Sequence, residues 1–226
     1  MTADAILAQL RLFDTPTVWN ALTTLRGHST QGLTLGPLVV SDPAMRMVGY
    51  AVTATMTSDR PAALSQAEKD EIRYAYYRMV NSGPAPRIVV MQDVGAQPGL
   101  GAIWGEVHAA IHAGLGCIGV ITNGAVRDLD ALDGFPILAG SICLGNGFTQ
   151  IRSLAEPVEV FGLRITPGDV VHADRHGAMT IPREYLSALP EAIERLLSKE
   201  RRMIGAARAP DFDAEALISL WRKAQS

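Results

Sequence analysis

Residues 87–128 read RIVVMQDV, GAQPGLGAIWG, EVHAAIHAGL, G and CIGVITNGAVRD in succession, and the order of these pieces decides the fold. The first, 87–94, is a short continuous apolar run, the pattern of a strand buried on both faces. Residues 95–105 form a glycine-rich loop. Helical spacing follows over 106–115, and a second buried strand opens at Cys117 and ends at Thr122-Asn123-Gly124. Strand, glycine loop, helix and strand make a βαβ-like unit with a crossover of the expected length.

Working outward, apolar spacing over 5–13 and 15–25 predicts two short helices, the second opened by Thr15-Pro16. Residues 49–57 (GYAVTATMT) alternate and are rich in β-branched side chains, which predicts a strand. Residues 61–82 fit a long amphipathic helix. Downstream, 136–144, 158–165, 168–172 and 178–181 supply further short strands. A helical pattern runs over 183–208, interrupted early by Pro190, and 214–224 forms a last helix. With no internal repeat or linker, the expectation is one α/β domain over 1–226, a layered α/β/α sandwich with a mixed central sheet. The helical extension 183–226 either closes on its own core or reaches a neighbouring subunit in an oligomer.

Composition narrows the function classes. The chain has 226 residues, 48% hydrophobic and 19% charged, with a net charge of −3, the profile of a well-packed globular protein. No block of Lys and Arg argues for nucleic-acid binding. No stretch reaches the ~18–20 apolar residues of a membrane span, and the amino terminus lacks a basic leader pattern. Cys117 and Cys143 both sit in apolar runs, which predicts reduced core thiols and a cytoplasmic location.

The glycine loop carries Gly95, Gly99, Gly101 and Gly105, which is neither G-x-G-x-x-G nor a P-loop. A glycine loop that opens a helix nevertheless leaves backbone N–H groups free at a positive dipole end, suited to a carboxylate or an enolate oxygen. A tight connection with unusual φ is the alternative. The second strand ends in Asn123-Gly-Ala-Val-Arg127-Asp128. An adjacent Arg and Asp offer an anion clamp beside a hard metal ligand, or, more blandly, a helix cap next to a solvated Arg. Position favours the first. Twenty residues separate Glu106 from Arg127, one helix plus one strand, so both return to the same sheet edge, where open α/β sheets bind ligands.

On these residues the chain resembles the class II pyruvate aldolases acting on 4-hydroxy-4-methyl-2-oxoglutarate and their RraA-like relatives. That family carries an acidic residue, twenty intervening residues and Arg-Asp, preceded by a G/A-x-x-G loop, matched here by Ala102-Ile-Trp-Gly105-Glu106 and Arg127-Asp128. Met47-Val-Gly-Tyr-Ala-Val-Thr53 resembles its early Gly-x-Ala-x-Thr strand, and residues 167–182 (PGDVVHADRHGAMTIP) resemble its Pro-Gly-Asp…Asp-x-x-Gly…Ile-Pro stretch. Glu106 stands where the aldolases often have Asp, and Asn20 where relatives frequently have Asp.

The resemblance implies an RraA-like fold of the swivelling-domain type. It also implies a divalent-metal-dependent lyase that cleaves a 4-hydroxy-2-keto acid to pyruvate through a metal-stabilised enolate, with oxaloacetate decarboxylation as a side activity. Asp128 would ligate Mg²⁺ or Mn²⁺. Arg127 would pair with the substrate carboxylate or keto oxygen. The N–H groups of Gly105, Glu106, Val107 and His108 would clamp the carboxylate, and Glu106 would orient or deprotonate the water that takes the substrate's hydroxyl proton. Relatives form trimers or hexamers, so a homotrimer or homohexamer is expected, with a keto acid as the small-molecule partner. The alternatives are a non-catalytic protein-binding regulator of a ribonuclease and a lyase for another keto or sugar acid.

Three other groups compete for attention. His108 and His112 lie i,i+4 and could chelate a metal, but no third ligand has zinc-like spacing. His172, Asp174 and His176 are expected in a polar turn that Asp174 and Gly177 shape, and Trp104 is expected to pack or to wall a pocket.

Overall fold

The computed structural model describes residues 2–27, 31–36 and 38–225. In chain order its elements are α1 (Ala3–Leu10), α2 (Thr15–Arg26), β1 (Val39–Val40), β2 (Arg46–Thr57), α3 (Gln66–Val80), β3 (Arg87–Asp93), α4 (Glu106–Gly114), β4 (Cys117–Thr122), β5 (Ala125–Val126), β6 (Ile137–Ala139), β7 (Ser141–Ile142), β8 (Gln150–Leu154), β9 (Val158–Val160), β10 (Leu163–Ile165), β11 (Val170–Asp174), β12 (Gly177–Ile181), α5 (Leu189–Ala207) and α6 (Ala214–Gln225). Among them no helix is long and apolar enough to cross a membrane.

The βαβ unit is present as read: β3 and β4 pair in parallel with α4 as the crossover. Around it the main sheet runs β1-β6-β4-β3-β2-β11-β12. The pairs β2–β3, β3–β4 and β4–β6 are parallel, whereas β1–β6, β2–β11 and β11–β12 are antiparallel. Strand β2 has two antiparallel neighbours on one edge, β11 along its first half and β8 along its second. The expected α/β class with a mixed central sheet stands.

Pleat parity shows what covers each face. Even-numbered side chains of β2 face the helices: Val48 and Tyr50 pack with α1, α2 and α5, and Ala54 and Met56 with α3 and α4. Odd-numbered Met47 and Ala51, with Ile88 and Val90 of β3, face Val158, Val160, Leu163 and Ile165. The second cover is therefore the β9–β10 hairpin, a β layer where a helical one was expected. Residues 158–165 read as one strand, although their apolar alternation changes phase at Phe161-Gly162, from Val158 and Val160 to Leu163 and Ile165. The chain reverses at Phe161-Gly162, both in the left-handed region at φ 52° and 75°, the conformation that tight two-residue hairpin turns require.

Local chemistry sets other boundaries. Helix α3 starts at Gln66 because Ser65 and Glu68 form a reciprocal capping box. Pro190 lies in the first turn of α5, where its missing N–H costs no hydrogen bond, so it starts that helix rather than interrupting it. The first turns of α5 bury Leu189, Ala192 and Ile193 against α1 and α2. Each large one of these contributes roughly 2 kcal/mol by removing apolar area from water. This part of the extension thus belongs to its own core. Cys117 is buried as expected, and burial pushes its thiol up to about 11. Cys143 is only half-buried and lies outside the core.

Under α4 sits a polar pair in an apolar cluster. His112 is fully buried; its Nδ1 lies 2.6 Å from the His108 carbonyl and its Nε2 2.7 Å from the Tyr76 hydroxyl. A carbonyl only accepts, so Nδ1 carries the proton and Nε2 accepts from Tyr76. Burial pushes the His112 pKa down to about 4. An unfolded chain takes up this proton near pH 6.5, whereas the native one refuses it until about pH 4, so stability falls as pH falls through that window. Urea unfolding at pH 7 and pH 5 should show about 2 kcal/mol lost through this residue. His112→Gln should remove that part of the slope; an unchanged slope would contradict the assignment.

Candidate active site

The carboxyl ends of β3 and β4 lie side by side, and an amide side chain joins them. Asn123 accepts from the Asp93 N–H at 2.7 Å and donates to the Asp93 carbonyl at 2.9 Å. The Asp93 carboxylate is 1% exposed and organises the glycine loop. Its Oδ1 accepts from Gly95 N at 3.0 Å, and its Oδ2 from Gly99 N at 2.9 Å and from the Ser58 hydroxyl at 2.8 Å. Sequence reasoning passed over Asp93, although an acid closing a buried strand directly before a glycine loop is a usable signal.

The second half of the loop is held by backbone pairing. Ala102 N donates to Gly145 O at 2.8 Å, Trp104 bridges Val126 in parallel, and Arg127 N donates to Trp104 O at 2.9 Å. On its other side β5 pairs with β7, and Cys143 N donates to Val126 O at 3.1 Å. Arg127 and Asp128 therefore leave a small fixed sheet that already contains the residue two before Glu106. Asp128 takes a left-handed conformation (φ 55°, ψ 40°) ahead of a short 3₁₀ turn, Leu129–Ala131. Aspartate tolerates that region better than most residues. Although Asp128 occupies the cap position of the turn, its side chain makes no cap bond there.

That side chain points back to α4. Asp128 Oδ2 accepts from Glu106 N at 3.3 Å and lies 3.5 Å from Arg127 Nε, an ion contact without hydrogen-bond alignment. Helix α4 has Gly105 at its N-cap and no side-chain cap of its own. The carboxylate from β5's far end thus sits at the positive end of the helix. Gly105 is required here: a Cβ would lie 2.4 Å from Asp128 Oδ2 and 3.0 Å from Arg127 Cγ. The structure therefore brings Gly105, Glu106, Arg127 and Asp128 together. Glu106 and Val107 are exposed, and Arg127 and Asp128 are 32% and 40% exposed along their side chains, open to a ligand.

His108, in the first turn of α4, lines a cavity of about 290 Å³ with Ile103 and residues of α3 and β8. Burial, then the charges of Arg127 and Arg73, lower its proton affinity, so its imidazole is neutral at pH 7. His112 cannot join it on a metal, because both its ring nitrogens are engaged. Trp104 is 1% exposed and packs against the His112 ring, a core role.

The donor set limits which cation could be held. Among the described residues no three of His, Cys, Asp and Glu cluster as a metal cage. Asp128 offers one hard oxygen donor at an open position, which fits a Mg²⁺-type ion that keeps several waters and takes substrate oxygens, and does not fit a structural zinc site.

The other polar group takes a place different from the expected one. His172 and Asp174 are buried within β11, and only His176 lies in the turn. Asp174 accepts from Thr15 N at 2.8 Å and His176 N at 2.8 Å, and His172 Nδ1 meets Thr15 Oγ1 at 2.9 Å. The bonds with Thr15 pin the start of α2 to the sheet, and the one from His176 N shapes the turn, the role expected of Asp174. Asn20 lies with Thr15 and His176 around a separate cavity of about 200 Å³.

Comparison with known proteins supplies the lineage. The family model described as RraA-like, Aldolase/RraA, matches residues 15–180. The chain belongs to the RraA-like family. Protein DlpA of Legionella pneumophila is 28% identical over 106 residues, 44% of this chain and 17% of that protein, so the chain spans about a sixth of that relative. A putative 4-hydroxy-4-methyl-2-oxoglutarate aldolase of Halalkalibacterium halodurans is 27% identical over 180 residues, 78% of this chain and 76% of that protein. Streptomyces coelicolor RraAS2, described as an unusual member of the RNase ES inhibitor RraA family, superposes with a TM-score of 0.67 at 18% identity, covering 91% of this chain and 96% of its own. The RraA-like fold is thereby established, and its relatives bear the names of both aldolases and ribonuclease inhibitors.

Asp93→Ala should leave three donors without their acceptor and cost about 3–5 kcal/mol in urea unfolding. Amide exchange at Gly95 and Gly99 should accelerate first. A loss under about 1 kcal/mol would show that the loop is held by something else.

Proposed function

We propose that this RraA-like chain is a divalent-metal-dependent lyase that cleaves a 4-hydroxy-2-keto acid of the 4-hydroxy-4-methyl-2-oxoglutarate type to pyruvate and decarboxylates oxaloacetate. The observation that carries this reading is the Asp128 carboxylate and the Arg127 side chain lying against the amino end of α4, whose own N-cap is Gly105. Both reactions generate pyruvate enolate, and their barrier falls as the developing oxyanion is stabilised. Mg²⁺ or Mn²⁺ held by Asp128 would supply Lewis-acid polarisation of the keto oxygen.

The chain's own residues do the rest. Amides of Val107 and His108 receive the substrate carboxylate at the helix start. The Arg127 guanidinium faces the keto oxygen and meets the charge that grows there. Glu106, exposed and one methylene longer than Asp, reaches a water that removes the C4 hydroxyl proton. The C3–C4 bond then breaks, its electron pair passes to the C2–C3 enolate, and C4 leaves as a carbonyl. Protonation at C3 gives pyruvate. No lysine lies between residues 95 and 128, which speaks against a Schiff base formed within this segment. Exposed apolar side chains beside the site, among them Val107, Leu129 and Ile142, support assembly into a homotrimer or hexamer.

Pyruvate release from oxaloacetate and from 4-hydroxy-4-methyl-2-oxoglutarate should stop with EDTA and return with Mg²⁺ or Mn²⁺. Asp128→Ala should abolish both activities with little change in Tm, and Arg127→Ala should lower kcat about 10²–10³-fold. Glu106→Gln should slow C–C cleavage about 10²-fold or more and spare decarboxylation, which has no hydroxyl proton to remove. Turnover indifferent to chelation would refute the metal reading. A stable ribonuclease complex with no lyase activity would favour the regulator seen in the names of relatives.

A further inference from the structure

The cavity between α3, α4 and the start of β8 has no part in the mechanism so far. It is apolar at Ile103 and Ile151 and charged along α3, which presents Lys69, Asp70 and Arg73. Arg73 donates to Asp70 at 2.7 Å, so these two charges offset each other. Lys69, half-buried at the cavity wall, makes no ion pair among the described residues and leaves the wall with one unmatched positive charge. His108 is neutral at pH 7 and adds none.

Two residues of the cavity wall lie close along the chain to the candidate active site. Ile103 lies two positions before Gly105, the cradle of Asp128, and His108 lies in the first turn of α4 within reach of the Arg127 charge. At about 290 Å³ the cavity lies just under the usual ~300–1,000 Å³ range for small ligands, room for a half-substrate of a few heavy atoms rather than a nucleotide.

We propose that this cavity is the subsite for the leaving half of the substrate, that it accepts one distal carboxylate, and that Lys69 is the specificity-determining residue that receives it. The inference rests on the reading that Arg127 and Asp128 hold the keto-acid end. A substrate with two distal carboxylates brings one negative charge more than the wall can match and is bound poorly. One with an uncharged end leaves the ammonium without a partner.

Binding separates this claim from turnover. In the presence of Mg²⁺, 2-oxoglutarate and 2-oxopentanoate share the keto-acid end, differ at the distal end, and lack the hydroxyl needed for cleavage. Calorimetry should show 2-oxoglutarate binding about tenfold or more tighter, as expected for one charge-assisted hydrogen bond. Lys69→Met should erase the difference by weakening 2-oxoglutarate alone, and Lys69→Arg should restore most of it. Both replacements are good helix formers on a half-exposed face, so folding is preserved. A preference that survives Lys69→Met, or a variant that weakens both ligands equally, would overturn the subsite. Deuterium exchange into the methyl group of pyruvate by the wild-type protein reads the enolate chemistry separately. Exchange without a ligand preference refutes the subsite alone; a preference without exchange refutes the lyase alone; absence of both refutes both.

Discussion

The site depends on one backbone contact, the parallel bridge between Trp104 and Val126, closed by the hydrogen bond from Arg127 N to Trp104 O. It joins the loop that follows β3 to strand β5, two segments more than twenty residues apart, and leaves each pointing its next residues at the other. Glu106 starts a helix two residues after Trp104, and Asp128 follows Val126 by two. Because the bridge is made of main-chain groups, the juxtaposition survives changes in most side chains. It does need Gly105, where a Cβ has no room beside Asp128.

Electrostatics explains why an acid and a base can sit together at this edge without collapsing into a closed ion pair. The Asp128 carboxylate divides its attraction between the Glu106 amide and the Arg127 guanidinium, and both contacts are long, at 3.3 and 3.5 Å. An incoming anion or cation therefore displaces little. Asp93, by contrast, spends its carboxylate on three short bonds in a buried position and serves only to hold the loop. Two aspartates that close neighbouring segments thus do opposite things, and solvent exposure separates them.

The sequence made the βαβ unit and the meeting of Glu106 with Arg127-Asp128 legible, because one helix plus one strand has a nearly fixed length and the buried strands read as unbroken apolar runs. What it hid were features that depend on distant partners. In residues 158–165 the hairpin is marked only by a change in the phase of the apolar alternation at Phe161-Gly162, and the segment read as one strand. His172 and Asp174 resembled turn residues, although they pair within the sheet and meet Thr15, more than 150 residues away. Lys69 carried no motif at all; only packing α3 beside α4 places it near His108. Ser65 and Glu68 have the spacing of a capping box, a local signal for the start of α3 that the reading of a helix over 61–82 passed over.

The meeting of α4's first turn with Arg127 and Asp128 is tested most directly by oxalate, a planar dianion shaped like pyruvate enolate, added with Mg²⁺ to ¹⁵N-labelled protein. Saturable shifts at the amides of Glu106, Val107 and His108 and at the Arg127 side-chain N–H, abolished in Asp128→Asn, are the predicted result. Oxalate shifts centred elsewhere, such as around Thr15 and His176, or persisting unchanged in Asp128→Asn, would contradict it.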